Sequence, residues 1–350
     1  MSLIYSNSFT ITRQENINHT FISLYILIDK GNGGQALIKI EELINYLPLS
    51  IKNIIKNYPN RNQITEIRMR TGRPMEVFVS GKGEFLNVLG QAETKDKAYI
   101  VNEKDIRETI EYSSDFSLYA YEDEIKNGFI TVKGGNRIGI CGKVITEHGM
   151  VKNIKNISSL NIRVSKEVKG CGEKILQYIY GEDKRLFNTL IISPPGCGKT
   201  TILRDLIRLI SDGNELSEGM TVGVVDERCE IGACEFGIPG NDLGIRTDIL
   251  DGCPKSEGIM MLVRSMSPKV IAVDEIGGSC DERAIMHGIN SGCSFISTIH
   301  AYSIEEYFEK NNVKKLIENG VFQRLILLSE RLGPGTVEGV YDRGGNLING

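Results

Sequence analysis

Ser193-Pro194-Pro195-Gly196-Cys197-Gly198-Lys199-Thr200 follows the apolar run Phe187 to Ile192 and leads into Thr201-Ile202-Leu203-Arg204-Asp205-Leu206-Ile207. The first run reads as a strand and the last carries a helical pattern, so the octapeptide is a strand–turn–helix junction. Gly196 and Gly198 let backbone N–H groups close on phosphate oxygens, and the helix N-terminus adds partial positive charge there. Lys199 can reach β- and γ-phosphates, and the Thr200 hydroxyl can ligate Mg²⁺. The residues expected to line this cradle are Ser193, Pro194, Pro195, Gly196, Cys197, Gly198, Lys199, Thr200 and Thr201. Ser193 stands where the usual motif opens with glycine, the least demanding position because the cradle sits at the other end. The expectation is a chain that binds a nucleoside triphosphate, ATP with Mg²⁺.

Working outward, four apolar runs each end in polar residues: Leu190–Ile192, Val222–Val225 before Asp226-Glu227, Val270–Val273 before Asp274-Glu275, and Phe295–Ile299 before His300. Continuous apolar strands with polar residues at their carboxyl ends predict a parallel sheet covered by helices on both faces. Asp274 is expected to hold Mg²⁺, and Glu275 to orient or deprotonate the attacking water. His300 falls where a γ-phosphate sensor would lie. Asp226, Glu227 and Glu230 read either as a solvated turn or, preferably, as a second acidic group at the nucleotide.

Bulk composition sets limits. The 350 residues suit two domains, and 41% apolar with 25% charged residues is ordinary for a globular protein. A net charge of −4 gives no global field for nucleic acid. The eight cysteines show no C-x-x-C pair and read as reduced thiols, and Cys229 with Cys234 lacks the histidine a metal site would want. No stretch approaches the roughly 20 apolar residues of a membrane helix.

The N-terminal half reads differently. Residues 1–36 are rich in Asn, Ser and Thr without sustained periodicity, and are expected to be a disordered or mis-annotated extension, with translation starting near Leu37. Residues 37–165 are expected to form a smaller α+β domain. Glu66–Arg70 and Met75–Val79 alternate like strands around the turn Thr71–Pro74, Asn102 can cap a helix through Ile110, and a glycine-rich hairpin spans Gly128–Ile140. Lys166 to Gly172 reads as a linker into an ATPase domain over 166–350.

Two longer stretches carry a resemblance. Leu262-Val263-Arg264-Ser265-Met266-Ser267-Pro268-Lys269-Val270-Ile271-Ala272-Val273-Asp274-Glu275-Ile276-Gly277-Gly278, with Ser297-Thr298-Ile299-His300-Ala301, resembles the type II/type IV secretion ATPase superfamily. Val225-Asp226-Glu227-Arg228-Cys229-Glu230 resembles its acidic box, with Glu230 as the final glutamate. Asp274 departs from the glycine found there in many secretion ATPases. Glu66–Pro74, Asn161-Ile162-Arg163, Arg246–Lys255 and Gly333–Gly339 are similar to the stage III sporulation protein AA family of endospore formers.

That resemblance covers about Ile38 to Asp342 and implies a RecA-like P-loop NTPase core, an α/β fold, beside the smaller α+β N-terminal domain. It implies a homo-oligomeric ring, a hexamer, acting as a Mg²⁺-dependent ATP hydrolase in the mother-cell cytoplasm. The ring would energise assembly of, or transport through, a membrane-embedded secretion-like complex, meeting its integral-membrane proteins and touching the membrane only indirectly. Glu275, Glu230, His300 and Arg264 are the catalytic candidates it implies. With nucleotide between subunits, Arg68, Arg70, Arg137 and Arg163 are candidates to reach a neighbour's phosphate. The competing expectation is a nucleic-acid-dependent ATPase. Against it stand the charge, the absence of tryptophan and the lack of a basic–aromatic run, so no nucleic acid is expected. A small-molecule kinase would need an acceptor pocket and lid, for which no sequence candidate appears.

Overall fold

The computed structural model describes residues 27–28, 35–38, 40–79, 81–117, 121–126 and 128–349. The expected extension over 1–36 lies outside the described residues, apart from short paired segments within 27–28 and 35–38. The first strands are β1 (Leu27–Ile28) and β2 (Gln35–Ile38). Helices α1 (Ile40–Leu43) and α2 (Leu49–Asn57) follow, then β3 (Ile64–Arg70), β4 (Glu76–Val79), β5 (Lys82–Asn87) and β6 (Gly90–Gln91). Next come α3 (Glu103–Ser113), α4 (Glu122–Lys126), β7 (Phe129–Val132), β8 (Asn136–Glu147) and β9 (Met150–Arg163).

Strands β3 to β9 form an antiparallel seven-stranded sheet in the order β6-β5-β4-β3-β9-β8-β7. Alternation decides its two faces. Ile67, Met69, Val77, Ile138, Leu160 and Ile162 point into a core shared with Ile51, Ile54 and Ile55 of α2 and Ile106 of α3. Helix α3 starts where the sequence says it should. Asn102 accepts from the Asp105 N–H while the Asp105 side chain accepts from the Asn102 N–H, each at 3.0 Å, which satisfies two otherwise orphaned donors.

The stretch expected to link the two halves holds β10 (Lys166–Lys169) instead, paired antiparallel with β2. Beyond it run α5 (Glu173–Ile179), β11 (Thr189–Ser193), α6 (Lys199–Asp212), β12 (Val222–Asp226) and β13 (Thr247–Asp251). Then follow α7 (Lys255–Ser265), β14 (Val270–Val273), α8 (Ser279–Asn290), β15 (Ser294–His300), α9 (Ile304–Phe308) and α10 (Lys314–Glu318). The chain closes with β16 (Arg324–Ser329), β17 (Thr336–Asp342) and β18 (Leu347–Asn349).

The second sheet has eight strands in the order β13-β12-β14-β15-β11-β16-β17-β18. The first six are mutually parallel, as the four apolar runs predict, and β17 and β18 return antiparallel at one edge. Strands β11, β12 and β14 are buried along their whole length, because helices cover both faces. Ile191 of β11 faces α5 and α6, whereas its neighbours Leu190 and Ile192 face the cluster formed with α7, α8, α9 and α10. The polar residues of β11, β12, β14 and β15 therefore emerge together at the carboxyl edge.

Candidate functional site

The turn between β11 and α6 is built on two left-handed glycines, Gly196 at φ +80° and Gly198 at φ +85°. A Cβ on Gly198 would also stand 3.0 Å from the Gly335 nitrogen. That contact belongs to a brace the sequence alone does not announce: the turn between β16 and β17 lies on the P-loop, and the Gly335 N–H donates to the Cys197 carbonyl at 2.8 Å. Its signal is Gly333-Pro334-Gly335, a turn rich in glycine.

Lys199 opens α6 and is almost fully buried. Its Nζ donates to the carbonyls of Ser193 (3.3 Å) and Pro194 (3.0 Å) and lies 2.9 Å from His300 Nδ1. Burial pushes the amine below its ordinary range, and the nearby Asp274 and Glu275 charges partly offset it. Because Nδ1 receives the ammonium, His300 presents its Nε2–H to Glu275 Oε1 at 2.8 Å. Thr200 Oγ1 donates to Asp274 Oδ2 at 2.6 Å, and Thr298 holds the other oxygen of Asp274.

Glu275 adopts φ +53°, a conformation that costs a β-carbon-bearing residue on the order of 1–3 kcal/mol and clusters at functional sites. Its N–H is fixed by Thr298 Oγ1 at 2.9 Å, and its second oxygen meets Arg228 Nη1 at 2.5 Å. Burial raises its carboxyl, but the His300 hydrogen bond and the Arg228 charge outweigh that and hold it below the usual carboxylate range.

The acidic segment after β12 divides its labour. Asp226 is buried and accepts backbone N–H groups from Glu230 (2.9 Å), Ile231 (2.9 Å) and Gly232 (2.8 Å), so it shapes the loop and does not face the nucleotide edge as a free carboxylate. Burial pushes its carboxyl above the usual range despite those donors. Glu227 pairs with Lys255. Glu230 keeps its side chain at the surface, 3.5 Å from Arg137 of β8, while its carbonyl is held by Arg204 at 2.7 Å.

Lys199, Thr200, Asp274, Glu275 and His300 thus converge, with Glu230 one step outward. Arg264 does not join them. It is exposed in the last turn of α7, at the end of the helix that leads into the start of β14, the opposite edge of the sheet. Arg228, which the sequence reading quotes in the acidic box without a role, is in direct contact with Glu275.

The four N-terminal arginines share one face. Register places Glu66 opposite Arg163 and Arg163 opposite Arg137, with Arg68 and Arg70 two and four residues along from Glu66 on β3. Phe78, Phe85 and Phe129 lie on this same face, opposite the cored one. Arg68 sits over Phe78 and Arg137 over Phe129, each 5.3 Å from the ring centroid. Arg68 and Arg70 are paired with Glu66 and Glu76, and Arg163 is exposed. The aromatic and basic residues are far apart in sequence, which hides the arrangement from any search for a contiguous run.

A family model described as "Sporulation stage III, protein AA" matches residues 38–348. The chain belongs to that family. It is similar to Stage III sporulation protein AA of Bacillus subtilis (strain 168), with 41% identity over 312 residues, covering 89% of this chain and 97% of the relative. Among solved structures it is similar to the pilus retraction motor PilT with bound ADP, at 15% identity and a TM-score of 0.50, covering 79% of this chain and 76% of that one. The ATPase DotB of Legionella pneumophila gives a TM-score of 0.46 at 13% identity, covering 76% and 72%. The likeness is one of fold, the RecA-like P-loop fold of secretion ATPases. Among the described residues no helix is long and apolar enough to cross a membrane.

Proposed function

We propose that this chain is a Mg²⁺-dependent ATP hydrolase that works as a ring, a hexamer, on a membrane-embedded secretion-like sporulation complex from the mother-cell cytoplasm. The observation that carries the ATPase reading is the convergence of Lys199, Thr200, Asp274, Glu275 and His300 at the carboxyl ends of β11, β14 and β15. The Thr200 hydroxyl and the Asp274 carboxylate are hard oxygen donors 2.6 Å apart, a set that suits Mg²⁺. When bound, the ion neutralises phosphate charge.

Backbone N–H groups of the Gly196–Thr200 turn cradle the phosphates, and Lys199 leaves its carbonyl partners to meet them. Glu275 orients the attacking water and accepts its proton, and His300 steadies the carboxylate through Nε2. Glu230 adds a second carboxylate farther out. Arg264 takes no part in its own chain's site, so any contribution from it falls on a neighbouring copy. The arginine face supports the ring reading through Arg163, which is exposed where Arg68, Arg70 and Arg137 are half-buried and so has a route to a neighbour's phosphate.

The test is hydrolysis by the purified protein with Mg²⁺, beside the Glu275→Gln variant. ATP binding that survives this change while turnover disappears supports the reading, and equal turnover by both proteins overturns it. The same variant used as bait in sporulating cells should retain integral-membrane proteins of the stage III complex.

The nucleic-acid-dependent alternative gains one observation, the sheet face that combines Phe78, Phe85 and Phe129 with arginines. Single-stranded DNA or RNA added to the hydrolysis assay separates the two. Stimulation favours the alternative, and an unchanged rate favours the secretion-type motor.

A further inference from the structure

Arg137 and Arg228 form a bridge from the seven-stranded sheet to Glu275. The Arg137 guanidinium, on β8, donates through Nη2 to the main-chain carbonyls of Arg228 at 2.6 Å and Cys229 at 3.1 Å, and its Nη1 lies 3.5 Å from Glu230 Oε1. Cys229 itself sits at φ +54°, so this short turn is held in a conformation its side chain disfavours. From that turn the Arg228 side chain, 62% exposed, crosses to Glu275 Oε2 at 2.5 Å. His300 already occupies Oε1. Both oxygens of the carboxylate are therefore engaged by protein donors, which leaves one acceptor position on each for water and makes the carboxylate a weaker base towards it.

Of the two donors, Arg228 is the one suited to leave. His300 is anchored at the end of a buried strand and bonded to Lys199, whereas Arg228 is largely exposed on a turn whose 228 and 229 carbonyls are held by Arg137 of the other sheet.

We propose that Arg228 is a positioning residue that restrains Glu275, and that Arg137 sets this restraint according to where the seven-stranded sheet stands. Displacement of that sheet draws the 228–229 carbonyls with it, withdraws the guanidinium and leaves Oε2 a stronger base towards the water. The geometry couples the placement of the N-terminal sheet to hydrolysis without any arginine touching phosphate. This rests on the ATPase reading, in which Glu275 handles the water.

The experiment is steady-state ATP hydrolysis by the full chain. Arg228→Ala should raise kcat about two- to fivefold, the effect expected when a part-exposed ion pair is lost, with KM for ATP unchanged. Arg228→Lys, which keeps the charge, should return kcat towards wild type. Arg137→Ala should also raise kcat, and the double variant should be no faster than Arg228→Ala alone. A matching thermal melt shows that the exposed Arg228 side chain was not needed for folding. A kcat that falls or stays level in Arg228→Ala, or additive gains in the double variant, overturns the proposal. Failure of the underlying reading looks different: Glu275→Gln would then turn over at the rate of its parent, in wild-type and Arg228→Ala backgrounds alike.

Discussion

Lys199 and His300 meet at 2.9 Å, Nζ to Nδ1, although they open a helix and close a strand 101 residues apart. That contact ties the amine proposed to bind phosphate to the residue that hydrogen-bonds Glu275. A change in one is felt at the other without passing through solvent.

Lys199→Ala should weaken ATP binding and abolish turnover. Charge-assisted contacts to phosphate contribute about 1.5–3 kcal/mol each, and the charge developing in the transition state would go uncompensated. Nucleotide titration and a hydrolysis assay read the two effects separately. Wild-type hydrolysis by the variant would refute the P-loop assignment.

Glu275→Gln should retain ATP binding, lower turnover by at least about 10²-fold as for a lost general base, and prolong the oligomer. Glu230→Gln should be milder, since Glu230 lies beyond Arg137 and outside the Lys199–His300–Glu275 chain. If Glu230→Gln is the inactive one, the two roles are exchanged.

Mixing two inactive proteins tests completion of the site by a neighbour. One carries Lys199→Ala, the other Ala in place of Arg163, Arg68 or Arg70, since Arg137 is already engaged by its own chain. Arginines acting across an interface contribute about 10³–10⁵ in rate, so restored interfaces should give partial recovery. Arg163 is the strongest candidate, because it is exposed while the Arg137 guanidinium is engaged by its own chain. Full activity in all three arginine variants, or no recovery despite co-assembly, rejects the idea.

Asp226→Asn should destabilise the protein by about 1–3 kcal/mol, the cost of a buried N–H left without an acceptor. The carboxylate serves three N–H groups through two oxygens, and an amide would turn a donor towards one of them. A fall in Tm together with reduced turnover is expected. An unchanged Tm would show that the loop does not depend on this acceptor.

The strand–turn–helix junction at 193–200 was legible because all its parts are contiguous in sequence, where local pattern is sufficient. Asp274, Glu275 and His300 were legible because each ends an apolar run, and parallel strands bring such ends together. What escaped depended on distance or on weak pattern. Lys166–Lys169 carries a single apolar residue, Val168, among three charged ones before a glycine, so it reads as a linker until β2 appears beside it. Strand β13 is only partly buried and lacks a continuous apolar run. Arg228 carries no signal, since its role arises only when β12 and β14 are neighbours. Arg264 lies within a stretch that resembles a known family, yet helix direction carries it to the far edge.

The turn after β7 meets the loop beyond β12 backbone against backbone. A Cβ on Gly135 would stand 2.4 Å from that of Ala233, and one on Gly240 would stand 3.2 Å from the Gly135 nitrogen. Small residues there act as the shim that fixes the gap between the two sheets. A single added methyl group would widen that gap while leaving every ionisable residue untouched. The reach of each arginine on the opposing sheet is thus tunable by atoms that carry no charge and perform no chemistry.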